Sequence, residues 1–316
     1  MKRLVRKILM GDTPFCRYAK ICDPVRTHER VYLDTGNEIL DISQAQWIVC
    51  LEPFIFAVWI ENRGQEACGR SPSKYRIYIS GEAGGNRIRI LKRAEAVLKL
   101  DPLDVIEDKR GTLALLRLEN SRIFHLDIIR RSLIYLRYFR EPGMSYSRFK
   151  AFLVAYSYPR RIRIVSFRQG DYYNIFPMDL LGEIPGCDRF VLGLQCKNHT
   201  LPRILETRQL VVSEVSCRYK DIIYGLGKHH SGHPPALEAL PFRVIVSRGL
   251  GFPVPEWAES YRELHILDAI KLGSHMLMWA EVTATHQLTN RITHLSTVHF
   301  MHYLDQKSKG HPYSPA

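Results

Sequence analysis

A short polar run, Cys196-Lys197-Asn198-His199-Thr200, joins the apolar stretch Phe190–Leu194 to a helix predicted to begin at Leu201-Pro202-Arg203. These residue types at this spacing suit an anion. A Thr200 hydroxyl at the helix N-cap accepts from a first-turn N–H, and Pro202 removes an N–H that would lack a partner anyway. The remaining free N–H groups and the helix dipole favour negative charge there. Lys197 adds a full positive charge, while Asn198 and Thr200 add neutral donors, so a phosphate is the expected ligand. An ordinary capped turn that binds nothing has the same local pattern.

Other residues capable of chemistry divide between functional and structural readings. The chain has 13 histidines, of which His229, His230 and His233 form H-H-x-x-H and His294, His299 and His302 gather near the C-terminus. No cysteine or carboxylate sits at matching spacing, and His299 and His302 lie in an apolar stretch, so packing is expected and no metal site. The segment Ser80–Asn86 (SGEAGGN) is glycine-rich but lacks both phosphate-loop patterns, and reads as a hairpin turn. Between Ile128 and Lys150, Arg130, Arg131, Arg137, Arg140, Arg148 and Lys150 interleave with Tyr135, Tyr138, Phe139, Tyr146 and Phe149. Such a stretch can bind single-stranded nucleic acid, but its periodicity equally gives an amphipathic helix with a solvated basic face, and that reading is preferred. The 7 cysteines are odd in number and contain no C-x-x-C pair, which predicts reduced thiols in the cytoplasm and no disulfide framework.

The elements that must position these residues are mainly strands. With 316 residues, 46% hydrophobic and 24% charged, the chain can bury a substantial core. The formal charge of +13 favours anionic partners without choosing among them. The N-terminal MKRLVRKILMGD has no sustained apolar core, and the longest apolar run, Trp47–Ile60, is broken by Glu52-Pro53. Neither export nor membrane spanning is predicted.

Residues 1–145 read as a strand-rich α+β domain of unassigned role. Trp47–Cys50 and Phe54–Ile60 are buried strands, Tyr75–Ser80 and Arg87–Ile90 alternate, Leu91–Leu100 has helical spacing up to Asp101-Pro102, and Leu113–Leu118 is a further strand. Glu141-Pro142-Gly143 marks the predicted boundary. Residues 146–305 turn to short strands: the hairpin Arg161–Phe167 with Tyr172–Phe176, then Phe190–Leu194, Leu210–Val215, Phe242–Ser247, Leu264–Ala269 and Met276–Thr283. Residues 306–316 read as a flexible tail. The fold class is mainly β with short helices, and the second half suggests a small closed barrel.

Five pieces of this second half occur in an order that resembles the flavin reductase-like family of FMN-binding split β-barrels, over roughly residues 150–305. They are Tyr158-Pro159-Arg160-Arg161 with IRIVSF, the return strand DYYNIFPMDLLGEI, CKNHTLPRILETRQLVVSEV, GLGKHHSG, and LGSHMLMWAEV. The resemblance implies a homodimer with FMN in a groove near the subunit interface. It would place the phosphate on Lys197, Asn198 and Thr200, and the ribityl chain and ring edge along Asn174–Leu181, including Asn174, Phe176 and Met178. The open ring face would lie near Lys228–Ser231 and His275, with Lys228, His229 and His275 supplying positive charge to the reduced flavin. NADH or NADPH is the implied co-substrate, the cofactor carrying the chemistry and the protein its placement. The sequence departs from the family where Phe176-Pro177-Met178-Asp179-Leu180 replaces small hydroxyl residues. That departure motivates a second expectation, a non-catalytic flavin-binding or sensing module. The basic stretch at 130–150 motivates a third, nucleic-acid binding.

Overall fold

The computed structural model describes residues 18–22, 29–62, 74–81, 86–124, 126–138, 144–227, 234, 236–290 and 293–310. After β1 (Tyr18–Cys22), seven strands form one antiparallel sheet: β2 (Arg30–Asp34), β3 (Ile39–Asp41), β4 (Gln46–Leu51), β5 (Phe54–Glu61), β6 (Tyr75–Ser80), β7 (Ala94–Asp108) and β8 (Gly111–Ile123), in the order β3-β2-β6-β7-β8-β5-β4. Helix α1 (Arg87–Lys92) lies between β6 and β7, and α2 (Ile128–Tyr138) and α3 (Tyr146–Ala155) follow β8. After the short β9 (Arg160–Arg161) comes a second seven-stranded antiparallel sheet: β10 (Arg163–Gln169), β11 (Tyr172–Met178), β12 (Leu181–Glu183), β13 (Arg189–Gln195), β14 (Gln209–Glu214), β17 (Ser260–Leu272) and β18 (His275–Gln287), in the order β11-β10-β14-β17-β18-β13-β12. Helices α4 (Leu201–Thr207) and α5 (Lys220–Leu226) and the ribbon β15 (Val244–Val246) with β16 (Pro253–Pro255) fill its connections. The last strand, β19 (Leu295–His299), pairs with both β1 and β9 and leads into α6 (Phe300–Ser308).

Side-chain alternation assigns each face. On β5, Phe54, Phe56 and Val58 enter the N-terminal core, while Ile55, Ala57 and Trp59 point into a separate apolar layer. On β13, Phe190, Leu192 and Leu194 fill the barrel and Val191 enters that same layer. The layer is the seam between the two sheets, where Trp59 stacks on Trp279 with ring centroids 6.2 Å apart. Strands buried on both faces read as continuous apolar runs, which is why Trp47–Cys50 and Phe54–Ile60 were legible. Among the described residues, no helix is long and apolar enough to cross a membrane.

Three expectations are corrected. Arg87–Ile90 is the body of α1 and not a strand, because the Asn86 side chain accepts from Arg89 N at 3.0 Å and caps a helix there. Of Leu91–Leu100 only Leu91 and Lys92 are helical, closing α1, and from Ala94 onward it is strand β7: Ala96, Leu98 and Leu100 alternate inward, and pairing to β6 and β8 overrides the local helical spacing. The thiols are not all reduced. Cys22 and Cys217, 195 residues apart, form a disulfide, because pairing of β1 with β19 brings the N-terminal strand beside the segment after β14. Replacing Cys22 by Ser is expected to lower unfolding stability by about 2–4 kcal/mol. Urea unfolding checks this, since reductant should shift the wild-type midpoint equally and leave the Cys22→Ser midpoint unmoved.

The expected boundary at Glu141-Pro142-Gly143 lies outside the described residues. Phe149 and Phe152 of α3, and Phe300 and Met301 of α6, join the N-terminal core, so that core draws on both ends of the chain. Salt bridging of Arg148 to Glu52 ties α3 to the β4–β5 turn.

Candidate functional site

A cleft of about 410 Å³ opens on the seam between the two sheets, large enough for a small organic ligand. One wall comes from the β3–β4 connection and β4, through Ser43, Gln46 and Trp47. The other comes from β9 and the β11–β12 region, through Arg160, Asp179 and Leu181. Arg30, Arg161 and Arg163 also border it, as does Glu183, so arginines outnumber carboxylates among its charged groups.

Burial and hydrogen bonding fix these groups. Arg160 donates from Nε to the Ala155 carbonyl at 3.1 Å and from Nη1 to Gln46 Oε1 at 2.6 Å, reaching across the seam. Burial pulls its guanidinium down to about 10, still fully charged near neutrality. With Oε1 engaged, the Gln46 amide has its Nε2 left to donate. Tyr156 donates its hydroxyl to Asp179 Oδ2 at 2.9 Å. Burial raises the Asp179 carboxyl above its ordinary range, against the opposing pull of Tyr156 and Arg160, and burial followed by the Asp179 charge raises Tyr156 strongly. From the cleft lining, Arg163 Nε lies 2.5 Å from Glu214 Oε1, and Arg262 bridges Glu183 at 2.6 Å and Glu214 at 3.6 Å.

The sequence-predicted residues fall in three places. Thr200 does not cap α4 with its side chain. Its hydroxyl is buried, 2.8 Å from the Tyr172 hydroxyl and accepting from Asn174 Nδ2 at 2.8 Å, while Thr200 N donates to Asn198 Oδ1 at 2.8 Å. Asn198 N and Leu201 N donate to nearby carbonyls, so the turn uses these donors internally. Lys197 is the exposed member. Asn174, Phe176 and Met178 are buried on β11, Phe176 and Met178 within the barrel core. Asn174 Oδ1 is buried with no hydrogen-bond partner among the described residues. His275 is buried at the start of β18, its Nδ1 2.8 Å from Ser274 Oγ and 3.8 Å from Cys50 Sγ, and it does not line the cleft. Lys228, His229 and Ser231 lie outside the described residues, as does most of the Ser80–Asn86 turn.

The β10–β11 register relates these places. Arg163 is opposite Met178 at the cleft end, and Phe167 is opposite Asn174 at the Thr200 end. Four residues of strand separate them, roughly 13 Å. Sequence reasoning missed Gln46, Trp47 and Arg160 as site residues, and reached Asp179 only as part of the Asn174–Leu181 segment. Arg160-Arg161 after a proline and a lone Asp179 inside FPMDLL were the available signals, but nothing local joins them to Gln46.

The remaining candidates have structural roles. Tyr135, Tyr146 and Phe149 pack against one another, Tyr135 and Tyr146 edge-on with ring centroids 5.1 Å apart, and only Phe149 is buried in the N-terminal core, the two tyrosines lying half-buried against it. His299 caps α6 by accepting from Met301 N at 3.1 Å. His302 Nε2 lies 2.9 Å from Glu29 Oε1 and, with Glu95 and Asp305, offers ligand atoms within 4.8 Å of one another. Lys309 Nζ lies 2.8 Å from both Glu95 and Asp305 and balances their charge as an ion-paired cluster.

No protein-family model matches this chain. No curated protein matches it either. Solved structures do. An FMN-binding protein from Thermus thermophilus, solved with bound 1-cyclohex-2-enone, is 22% identical over 42% of this chain and 72% of its own, with a TM-score of 0.36. An NADH:FAD oxidoreductase from Streptomyces globisporus is 16% identical over 47% of this chain and 88% of its own, at 0.41. A 2-nitrobenzoate 2-nitroreductase from Pseudomonas fluorescens is 23% identical over 44% and 70%, at 0.39. Over somewhat less than half its length, the chain resembles FMN-binding and flavin reductase-like proteins.

Proposed function

We propose that this chain is a flavin-binding oxidoreductase that works with NADH or NADPH, and that its flavin lies in the seam cleft. The observation that carries this reading is the cleft itself: about 410 Å³, with arginines outnumbering carboxylates, and bordered by Asp179 and Leu181 at the end of the segment expected to meet a flavin. The residues present fit such a group. Trp47 and Leu181 give an apolar wall for a planar ring, and Gln46 Nε2 is a free donor for a ring carbonyl. Arg160 and Arg161 supply positive charge that stabilises an anionic ligand or a reduced, anionic ring. Asp179, pushed up by burial, is the cleft group suited to hold a proton, on the carboxylate that Tyr156 orients. A flavin, when bound, would supply the two-electron chemistry between nicotinamide and acceptor.

Two positions compete for a flavin phosphate: the arginines at the cleft, and Lys197 with Asn198 and Thr200. Because the Thr200 and Asn198 groups are already paired, we assign the phosphate to the arginine end. The choice is read by comparing FMN with riboflavin. Arg161→Ala is expected to lose FMN while leaving riboflavin binding less affected, and Lys197→Ala/Thr200→Ala to leave both close to wild type. The reverse pattern moves the phosphate to the turn.

Burial of Phe176 and Met178 in the barrel core favours a second reading, a flavin-binding or sensing module without turnover. Purified protein incubated with FMN should emerge from gel filtration yellow and bleach anaerobically with NADH or NADPH. Uptake without bleaching leaves the binding module, and no uptake sinks both readings.

A further inference from the structure

The two seven-stranded sheets share one topology. Numbering the strands of each sheet from its own first strand, both run second, first, fifth, sixth, seventh, fourth, third, with every neighbour antiparallel. Strands β2–β8 therefore correspond one to one with β10–β14, β17 and β18.

The contacts across the seam are reciprocal under the same correspondence. The β17–β18 turn of the C-terminal sheet sits on the β4–β5 turn of the N-terminal one: Ser274 N donates to the Glu52 carbonyl at 2.7 Å, and Cys50 Sγ donates to the Leu272 carbonyl at 2.6 Å. The matching β7–β8 turn of the N-terminal sheet sits on the matching β12–β13 connection: Arg189 Nε lies 3.1 Å from Asp108 Oδ2, and Arg110 donates to the Gly186 carbonyl. The apolar layer is likewise built from corresponding strands, with β4, β5 and β8 giving Val49, Trp59 and Leu113, and β13 and β18 giving Val191, Leu277 and Trp279. Patch i meeting j while j meets i is the signature of a two-fold interface between identical subunits. Here it occurs inside one chain. The cleft shares that symmetry, since Arg30 opens β2 as Arg163 opens β10, and Gln46-Trp47 on β4 faces Leu181–Glu183 on β12.

We infer that the chain is two tandem copies of one split-barrel unit, and that the N-terminal copy replaces the second subunit of the homodimer implied by the resemblance. The working particle is a monomer, and its flavin cleft takes Gln46 and Trp47 from the N-terminal copy. The assignment of those two residues rests on the flavin reading proposed above, whereas the internal pairing does not.

Light scattering across a dilution series tests the pairing: a single species at the chain mass of 36.7 kDa is expected, and a stable species of twice that mass overturns it. FMN titration tests the composite cleft, using Gln46→Met and Trp47→Phe, near in volume to the residues they replace and checked for wild-type thermal unfolding. At least one should weaken FMN by roughly tenfold, about the loss of one hydrogen bond or stacking contact. Wild-type affinity in both folded variants removes the N-terminal copy from the site. If the wild-type chain takes up no FMN, the flavin reading fails, and the measured mass still decides the pairing.

Discussion

Gly193→Val is expected to destabilise the folded chain by about 3 kcal/mol or more, at the upper end of overpacking effects. A Cβ at this position of β13 would lie 2.1 Å from the Val49 carbonyl oxygen and 2.7 Å from its carbon. Both are backbone atoms of β4, so no side chain can swing aside. Relief requires β4 and β13 to separate, which opens the layer holding Trp59 against Trp279 and disturbs the Gly193 N–H bond to the Leu180 carbonyl at 2.7 Å. Gly225→Ala in α5 is the control, because a Cβ there meets nothing within 4 Å. Helix propensity alone predicts that this change stabilises by about 0.5–1 kcal/mol. Urea unfolding of the pair separates a seam effect from a general intolerance of glycine replacement; equal midpoints would mean that the two sheets do not meet as closely as described.

Glu214→Gln is expected to cost about 3–5 kcal/mol near neutral pH, because it strands buried positive charge. Glu214 and Arg163 are each 8% exposed and 2.5 Å apart, and Arg262 and His294 approach the same carboxylate at 3.6 and 3.5 Å. Burial alone would raise the Glu214 pKa, but Arg163, then His294 and Arg262, outweigh it and hold it below the ordinary glutamate range. A depressed carboxyl contributes stability that is fully present above its unfolded pKa, about 4.3. That contribution fades as pH falls through the lower folded value. The stability gap between wild type and Glu214→Gln should therefore shrink on acidification below about pH 4. A gap independent of pH would show that the carboxylate is not what holds Arg163 in place. Arg163→Met with Glu214→Leu, which removes both charges, should cost less than Glu214→Gln alone.

Legibility in the sequence followed the range of the interactions. The continuous apolar run Phe54–Ile60 reported its own burial and the alternating Arg161–Phe167 its strand, and the hairpin turn at Gly170 adopts φ +60° as a glycine there permits. Asn86 and Ala96–Leu100 show the limit: a cap and a sheet position each reversed the reading that spacing favoured, and only the neighbouring strands reveal which one wins. The Thr200 turn was located correctly between a strand and a helix. That Tyr172 and Asn174 occupy its hydroxyl depended on a hairpin partner 28 and 26 residues away. The cleft was the least legible feature. Gln46 and Arg160 are 114 residues apart, and nothing in either segment announces the other. The correspondence of the two sheets lies in their strand order, which becomes visible only once the strands are paired.

Equilibrium dialysis of the purified chain against FMN tests the central claim most directly. The expected result is saturable binding of one FMN per 36.7 kDa chain, with visible absorbance retained on the bound fraction and lost on adding NADH or NADPH without oxygen. A folded, monodisperse protein that takes up no FMN would contradict it.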